Sequence, residues 1–171
     1  TVQPRKNVAA IVTAFAQIAE QIPHDLLLAG QIGWRSSGIM AIIDALPDEI
    51  KSRIHLLGFV PDDQKIGLIK GASAFLYPSL YEGFGFPLLE ANACGVPVIT
   101  ANTSSLAELS NTGGAIPIDP QSDAALKGAI VRVLNDAELR DSLIAAGYEN
   151  IQRFSWQQAA ETVMHLMEQQ A

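Results

Sequence analysis

Glu82 and Glu90 stand eight positions apart in the stretch YEGFGFPLLEANACG, residues 81–95, with Gly83 and Gly85 between them. The stretch is otherwise apolar, and a carboxylate taken out of water is costly unless a cation or a hydrogen-bond donor meets it. Glycines in such a turn let the backbone come close to a ligand. If a helix starts directly after them, its free N–H groups favour a phosphate or another oxygen-rich group. The plainer reading is a structural Gly-x-Gly turn with Glu90 on an exposed helix face. A dinucleotide fingerprint is disfavoured. Leu88 stands where its third glycine belongs, and the turn follows a late strand rather than the first. A nicotinamide enzyme is disfavoured with it. Two cations, Arg5 and Lys6, lie in Pro4-Arg5-Lys6-Asn7, which reads as a loop leading into a helix.

The elements that must hold these groups are legible as short apolar runs alternating with helical patterns. The runs are Leu26–Gly30, Ile54–Gly58, Ala74–Pro78, Pro97–Thr100 and Gly114–Ile118. They read as parallel strands buried on both faces. Val8, Ile11, Val12, Phe15, Ile18 and Ala19 share one helical face, with Asn7 as its expected N-cap. Ile39, Ile42, Ile43 and Leu46 repeat the spacing, and Ile66 and Ile69 follow Asp62 and Asp63. Pro87 suits the first turn of a helix running to about Ala93. Ser105-x-x-Glu108 reads as a capping box. Helical patterns fill about 122–134, 136–150 and 155–169. The expected fold is α/β, a single domain built on a doubly wound, Rossmann-like parallel sheet with right-handed crossovers. Ligands bind such sheets at the carboxyl ends of the strands, which is where Glu82 falls, with Glu90 in about the first turn of the next helix.

Composition narrows the classes. A length of 171 residues is enough for one domain with a core. The formal net charge of −7 argues against nucleic acid as a partner. The single cysteine, Cys94, permits no internal disulfide and reads as inert core. No apolar run approaches the ~20 residues of a membrane span. His24, His55 and His165 have no spacing for a metal or a triad, and His55 reads as a satisfied or edge histidine. The chain opens at Thr1 inside a loop, so a piece of a longer protein is expected.

"PSLYEGFGFPLLEANACGVPVITANTSSLAEL" resembles the motif of retaining glycosyltransferases with two Rossmann-like domains. This is the GT-B architecture, in the large group 1 family that includes sucrose synthase-like enzymes and mannosyltransferases. The family's Glu-x7-Glu pair is met by Glu82 and Glu90. "QPRKN", "LLLAG", "IHLLGFVPDDQ", "GASAFLYPS" and "FSWQQAA" are similar to further family segments, in order, over nearly the whole chain. The resemblance implies that residues 1–171 form the C-terminal, nucleotide-sugar-binding domain, with a terminal helix over about 155–171. It implies that Glu82 meets the donor's sugar hydroxyls as the catalytic-site carboxylate. The backbone of Gly83, Phe84, Gly85 and Phe86 approaches the sugar and diphosphate, Glu90 takes the ribose hydroxyls, and Arg5 and Lys6 neutralise the diphosphate. Phe59 and Val60, beside Pro61, lie near the base; the alternative for Phe59 is a core side chain. With no Asp-x-Asp, no metal or other cofactor is expected.

The implied reaction moves a hexose, mannose from GDP-mannose first and a UDP-sugar second, to a hydroxyl of a saccharide or lipid-linked acceptor. The acceptor site and a histidine near the sugar belong to an N-terminal domain outside these residues, so turnover is expected of the full-length protein and not of this chain alone. The expected location is the cytoplasm, with peripheral contact at the inner membrane face through that domain. A nucleotide-binding module without catalysis is the alternative, and a flavodoxin-like signalling scaffold would need neither glutamate. The family's second domain also begins with a central strand just ahead of "PRKN", of which this sequence is expected to hold the last residue or two at most.

Overall fold

The computed structural model describes residues 1–169. Five strands alternate with helices: α1 (Val8–Ile18), β1 (Leu26–Ala29), α2 (Ser37–Asp44), α3 (Asp48–Lys51), β2 (Ile54–Gly58), α4 (Asp62–Lys70) and β3 (Phe75–Tyr77) come first. Then follow α5 (Phe86–Ala93), β4 (Val98–Ala101), α6 (Ser104–Ser110), β5 (Ala115–Ile118), α7 (Asp123–Asn135), α8 (Ala137–Ile151) and α9 (Trp156–Glu168). The last two positions expected in the terminal helix lie outside the described residues. None of the described helices is long and apolar enough to cross a membrane.

All pairings between these strands are parallel, as the alternation requires. The expected fold class holds, α/β on parallel strands in a single domain, but the strands lie in two groups rather than one continuous sheet: β1 pairs with β2, β3–β4–β5 form the second, and among the described residues no ladder joins β1 to β3.

Burial follows from this. β4, flanked on both sides, is buried at every residue, as expected for a central strand. β1 is not, because Leu27 is half exposed beside the split while Leu26 and Leu28 are buried. The α1 stripe of Val8, Ile11, Val12, Phe15 and Ile18 is buried as its spacing predicts.

Asn7 stands at the N-cap of α1 as expected, but without a side-chain bond to the helix, and the second expected cap is corrected. Asn7 has φ 56° and makes no side-chain cap; its amide Nδ2 instead donates to the Pro120 carbonyl at 2.8 Å. The left-handed backbone, which asparagine tolerates, turns the side chain away from the helix end. The Ser105–Glu108 capping box does not form either. The α6 N-cap is Thr103 without a side-chain cap, and the Ser105 hydroxyl is spent on the Glu82 loop.

Candidate functional site

The chain from Pro4 to Lys6 forms one 3-10 turn. Its Arg5 carbonyl accepts from the Leu80 amide at 2.9 Å, which ties the turn to the loop that leaves β3. That tie brings residues 76 and 77 positions apart in sequence into contact. Arg5 Nη1 donates to Glu82 Oε2 at 2.7 Å and to the Tyr81 carbonyl at 2.6 Å. Lys6 Nζ donates to Glu82 Oε1 at 2.6 Å and to Tyr77 Oη at 2.9 Å. The same ammonium lies 4.9 Å from the centroid of the Tyr77 ring.

Glu82 is only 8% exposed. Burial pushes its carboxyl up, but hydrogen bonds from Lys6 and Arg5 outweigh this and hold it at about 2. Ser79, fully buried, adds to the lowering, although its hydroxyl lies outside the geometry of a formed hydrogen bond. The Tyr77 phenol is shifted the other way, upward, by burial first and by the Glu82 carboxylate second. With two cations against one carboxylate, the cluster keeps one positive charge over.

Hydroxyls after β4 strap the loop from below. The Glu82 amide donates to Ser104 Oγ at 3.1 Å, Ser105 Oγ donates to the Glu82 carbonyl at 2.9 Å, and Thr103 Oγ1 donates to the Leu80 carbonyl at 3.3 Å. Ser104 holds φ at 50°, a left-handed conformation uncommon for a serine.

The two glycines serve different ends. A β-carbon at Gly83 would meet nothing within 4 Å, so open space faces its backbone. A β-carbon at Gly85 would lie 2.8 Å from Leu106 Cδ2 and 2.9 Å from Leu109 Cδ1, and its φ is 113°. Gly85 is therefore fixed by packing on α6 and by backbone sign, not only by closeness to a ligand. Helix α5 starts at Phe86, with Pro87 in its first turn as expected. Phe84 and Phe86 are partly exposed, with ring centroids 4.7 Å apart. Phe86 stacks on Trp156 at 6.1 Å.

Glu90 lies one turn into α5, slightly deeper than the first turn, and is partly exposed. It accepts from Lys65 Nζ of α4 at 2.9 Å. That bond, then the one to Asp62, raises the Lys65 ammonium. Phe59 and Val60 sit in the loop just before α4; Phe59 is 71% exposed, which removes the core alternative. Two clusters thus stand at the carboxyl ends of β2, β3 and β4, one around Glu82 and one around Glu90, linked by residues 83–86. Tyr77, Ser104 and Lys65 carry no motif of their own and were not legible as parts of it. Among the residues set aside, His55 Nε2 pairs with Asp25 Oδ2 at 2.8 Å, and Cys94 is a half-buried free thiol.

The parallel α/β fold, with a polar cluster at its strand ends, is that of a Rossmann-like domain. Residues 1–150 match the family model described as glycosyl transferases group 1, and the chain belongs to that family. The chain is 35% identical over 159 residues to the O-antigen chain mannosyltransferase B of Escherichia coli, spanning 92% of this chain and 41% of that one. It is 26% identical to the phosphatidyl-myo-inositol mannosyltransferase of Mycobacterium tuberculosis, over 97% of this chain and 44% of the other. The chain therefore spans less than half the length of these curated relatives. Among solved structures, sucrose-phosphate synthase from Thermosynechococcus elongatus superimposes with a TM-score of 0.83 at 29% identity, covering 98% of this chain and 43% of its own. Anabaena HepE in complex with UDP-glucose gives 0.82 at 25% identity, covering 95% and 46%.

Proposed function

We propose that this chain is the donor-binding half of a retaining glycosyltransferase that moves a hexose from a nucleoside diphosphate to a hydroxyl of a saccharide or lipid-linked acceptor. The observation that carries the reading is the Glu82 carboxylate fixed between Arg5 and Lys6 beside the open backbone of Gly83. In this reading Glu82 receives the sugar hydroxyls with the oxygen lone pairs that its cations leave free. The excess positive charge of the cluster meets the diphosphate and stabilises the negative charge that gathers on it as the glycosidic bond breaks. Arg5 and Lys6 do this without a divalent metal. Glu90 exchanges its Lys65 partner, wholly or in part, for the ribose hydroxyls, and exposed Phe59 with Val60 lies along the base.

GDP-mannose is the first donor, supported by the names of the mannosyltransferase relatives. A UDP-sugar is the second, supported by the HepE complex with UDP-glucose. The lipid in the mycobacterial relative's name supports an acceptor presented at a membrane. We place the acceptor site in the remainder of the full-length protein, working in the cytoplasm at the inner membrane face.

Isothermal titration with GDP, UDP and ADP, with and without EDTA, tests the reading. GDP should bind best, and chelation should change nothing. Glu90→Ala should weaken bare nucleotide by about 1.5–3 kcal/mol, the worth of hydrogen bonds to a charged group. Glu82→Ala should spare the bare diphosphate and weaken the sugar-bearing form. Binding of none of the three nucleotides overturns the donor-site reading, and a preference for UDP moves the donor to the second choice.

A further inference from the structure

Residues 152–155 join α8 to α9, and hydrogen bonds fix where this junction starts. Asn150, buried near the end of α8, donates from Nδ2 to Asn92 Oδ1 of α5 at 3.0 Å and to the Leu109 carbonyl of α6 at 2.9 Å. Arg153 Nη1 donates to Asn150 Oδ1 at 2.9 Å, and its guanidinium lies 5.3 Å from the centroid of the Phe154 ring. Phe154 packs on the core cluster that holds Leu88 and Leu109. Ser155 is the N-cap of α9 and is extended, with φ −140° and ψ 130°. Phe154 and Trp156 therefore project to one side of the chain, as alternate residues of a strand do.

The two rings of the glycine-rich loop meet that pair. Phe84 sets its edge against Phe154, with centroids 5.6 Å apart and ring planes at 87°. Phe86 stacks on Trp156 at 23°, and Phe84 and Phe86 touch each other at 4.7 Å. All three separations suit attractive aromatic pairs. The four rings close a clasp on residues 84–86, while the side facing Gly83 stays open. Burial does not account for the outermost ring. Trp156 is 82% exposed and Phe86 51%, so their stack takes little apolar surface out of water. No residue of α9 is buried. What the stack does is restrict Phe86, the residue at which α5 begins. A loop with two glycines is costly to order from its own backbone, and these rings order it from outside. Phe154 and Trp156 both lie beyond the residues 1–150 that match the family model.

We propose that Phe154 and Trp156 are positioning residues of the donor site, acting through Phe84 and Phe86 to hold the backbone of residues 83–86 in the form that receives the sugar-bearing end of the nucleotide. The inference rests on the donor-site reading above. Order present before the ligand arrives does not have to be created on binding, which raises affinity. The coupling is reciprocal: a ligand seated on the loop changes the surroundings of Trp156.

Two measurements separate this proposal from the reading it rests on. The first needs no ligand. Amide relaxation by NMR gives the order parameters of Gly83, Phe84, Gly85 and Phe86 in the native chain, in Trp156→Ala and in Trp156→Phe. Trp156→Ala should lower them from about 0.85 to about 0.6 or below and leave those of α8 unchanged, and Trp156→Phe should restore most of the order. The second is titration of the same three proteins with GDP-mannose, GDP, UDP-glucose and UDP. Trp156→Ala should weaken the sugar nucleotide that the native chain binds by about 2- to 10-fold, the worth of one aromatic pair, and the bare diphosphate by less. Trp156→Phe should again restore it. In a Trp34→Phe background Trp156 is the one tryptophan left of two, and its emission should change saturably with the same sugar nucleotide. Unchanged loop order in Trp156→Ala overturns the proposal. A loosened loop with unchanged affinity for the sugar nucleotide overturns it as well. If the native chain binds none of the four nucleotides, the donor-site reading falls, and the loop order alone then upholds or overturns the positioning role.

Discussion

Glu82 keeps its charge against burial because Arg5 and Lys6 each take one of its oxygens. That arrangement ties stability to pH. The carboxyl is held at about 2 in the folded chain against 4.5 ordinarily, so its contribution is complete above about 4.5 and is lost as pH falls from there towards 2. A shift of this size is worth roughly 2 kcal/mol after discounting for the half-exposed Arg5. Urea unfolding across that range should show the loss in the native chain and a flatter profile in Glu82→Gln. An equal slope in both would assign the acid sensitivity elsewhere. Tyr77 acts one step further back, by giving the Lys6 ammonium a fixed oxygen and a ring face. Tyr77→Phe keeps the ring and removes the oxygen. It should cost about 0.5–1.5 kcal/mol of stability in urea unfolding, the worth of one hydrogen bond. Neither Tyr77 nor Ser104 was readable beforehand, because each takes its role from a partner 71 or 22 residues away rather than from local spacing. Glu82 and Glu90 were singled out through one family-like segment and Arg5 and Lys6 through another, and the structure brings Arg5 and Lys6 together with Glu82.

The elements themselves were legible where a period is sustained and flanked by glycine or proline. Helix α5 lies where Pro87 and the apolar run place it, and β2 covers the expected residues. The errors came where a local rule met a distant partner. Ser105 has the spacing of a capping box, yet its hydroxyl is worth more bonded to the buried Glu82 carbonyl than to a helix end open to water. Asn7 holds the N-cap position, but its side chain is spent on the Pro120 carbonyl. The split between β1 and β3 follows from long-range pairing, which no pattern within the chain reports. At this scale the two glycines of the loop should respond in opposite ways. Gly85→Ala meets Leu106 and Leu109, both buried, and must hold a positive φ. It should lose more than about 2 kcal/mol in urea unfolding, since the backbone sign alone costs about 1–2. Gly83→Ala points into open space and should leave stability within about 0.5 kcal/mol while reducing affinity for the sugar-bearing nucleotide. Equal losses of stability in the two variants would show that the space beside Gly83 is closed in solution.

As a whole the molecule is acidic, with a formal net charge of −7, while its proposed ligand is an anion. Binding therefore depends on a local positive potential set against an unfavourable overall field. Raising salt should weaken nucleotide binding, because exposed Arg5 is screened over about 8–10 Å. Lys6→Glu should weaken it more than Lys6→Ala. Titrations of these two variants at low and high salt check both statements, and equal affinity of the variants and the native chain would place the opening turn away from the ligand. The Ser104 backbone leads further. A non-glycine residue at φ 50° stores about 1 kcal/mol or more of conformational strain. Ser104→Gly would release that strain but adds freedom to the unfolded chain, so urea unfolding should show no net gain in stability. The same change deletes the oxygen that accepts the Glu82 amide. Heat tolerance and ligand binding therefore ask for the same serine here, and a library varied at this one position should return serine under either selection.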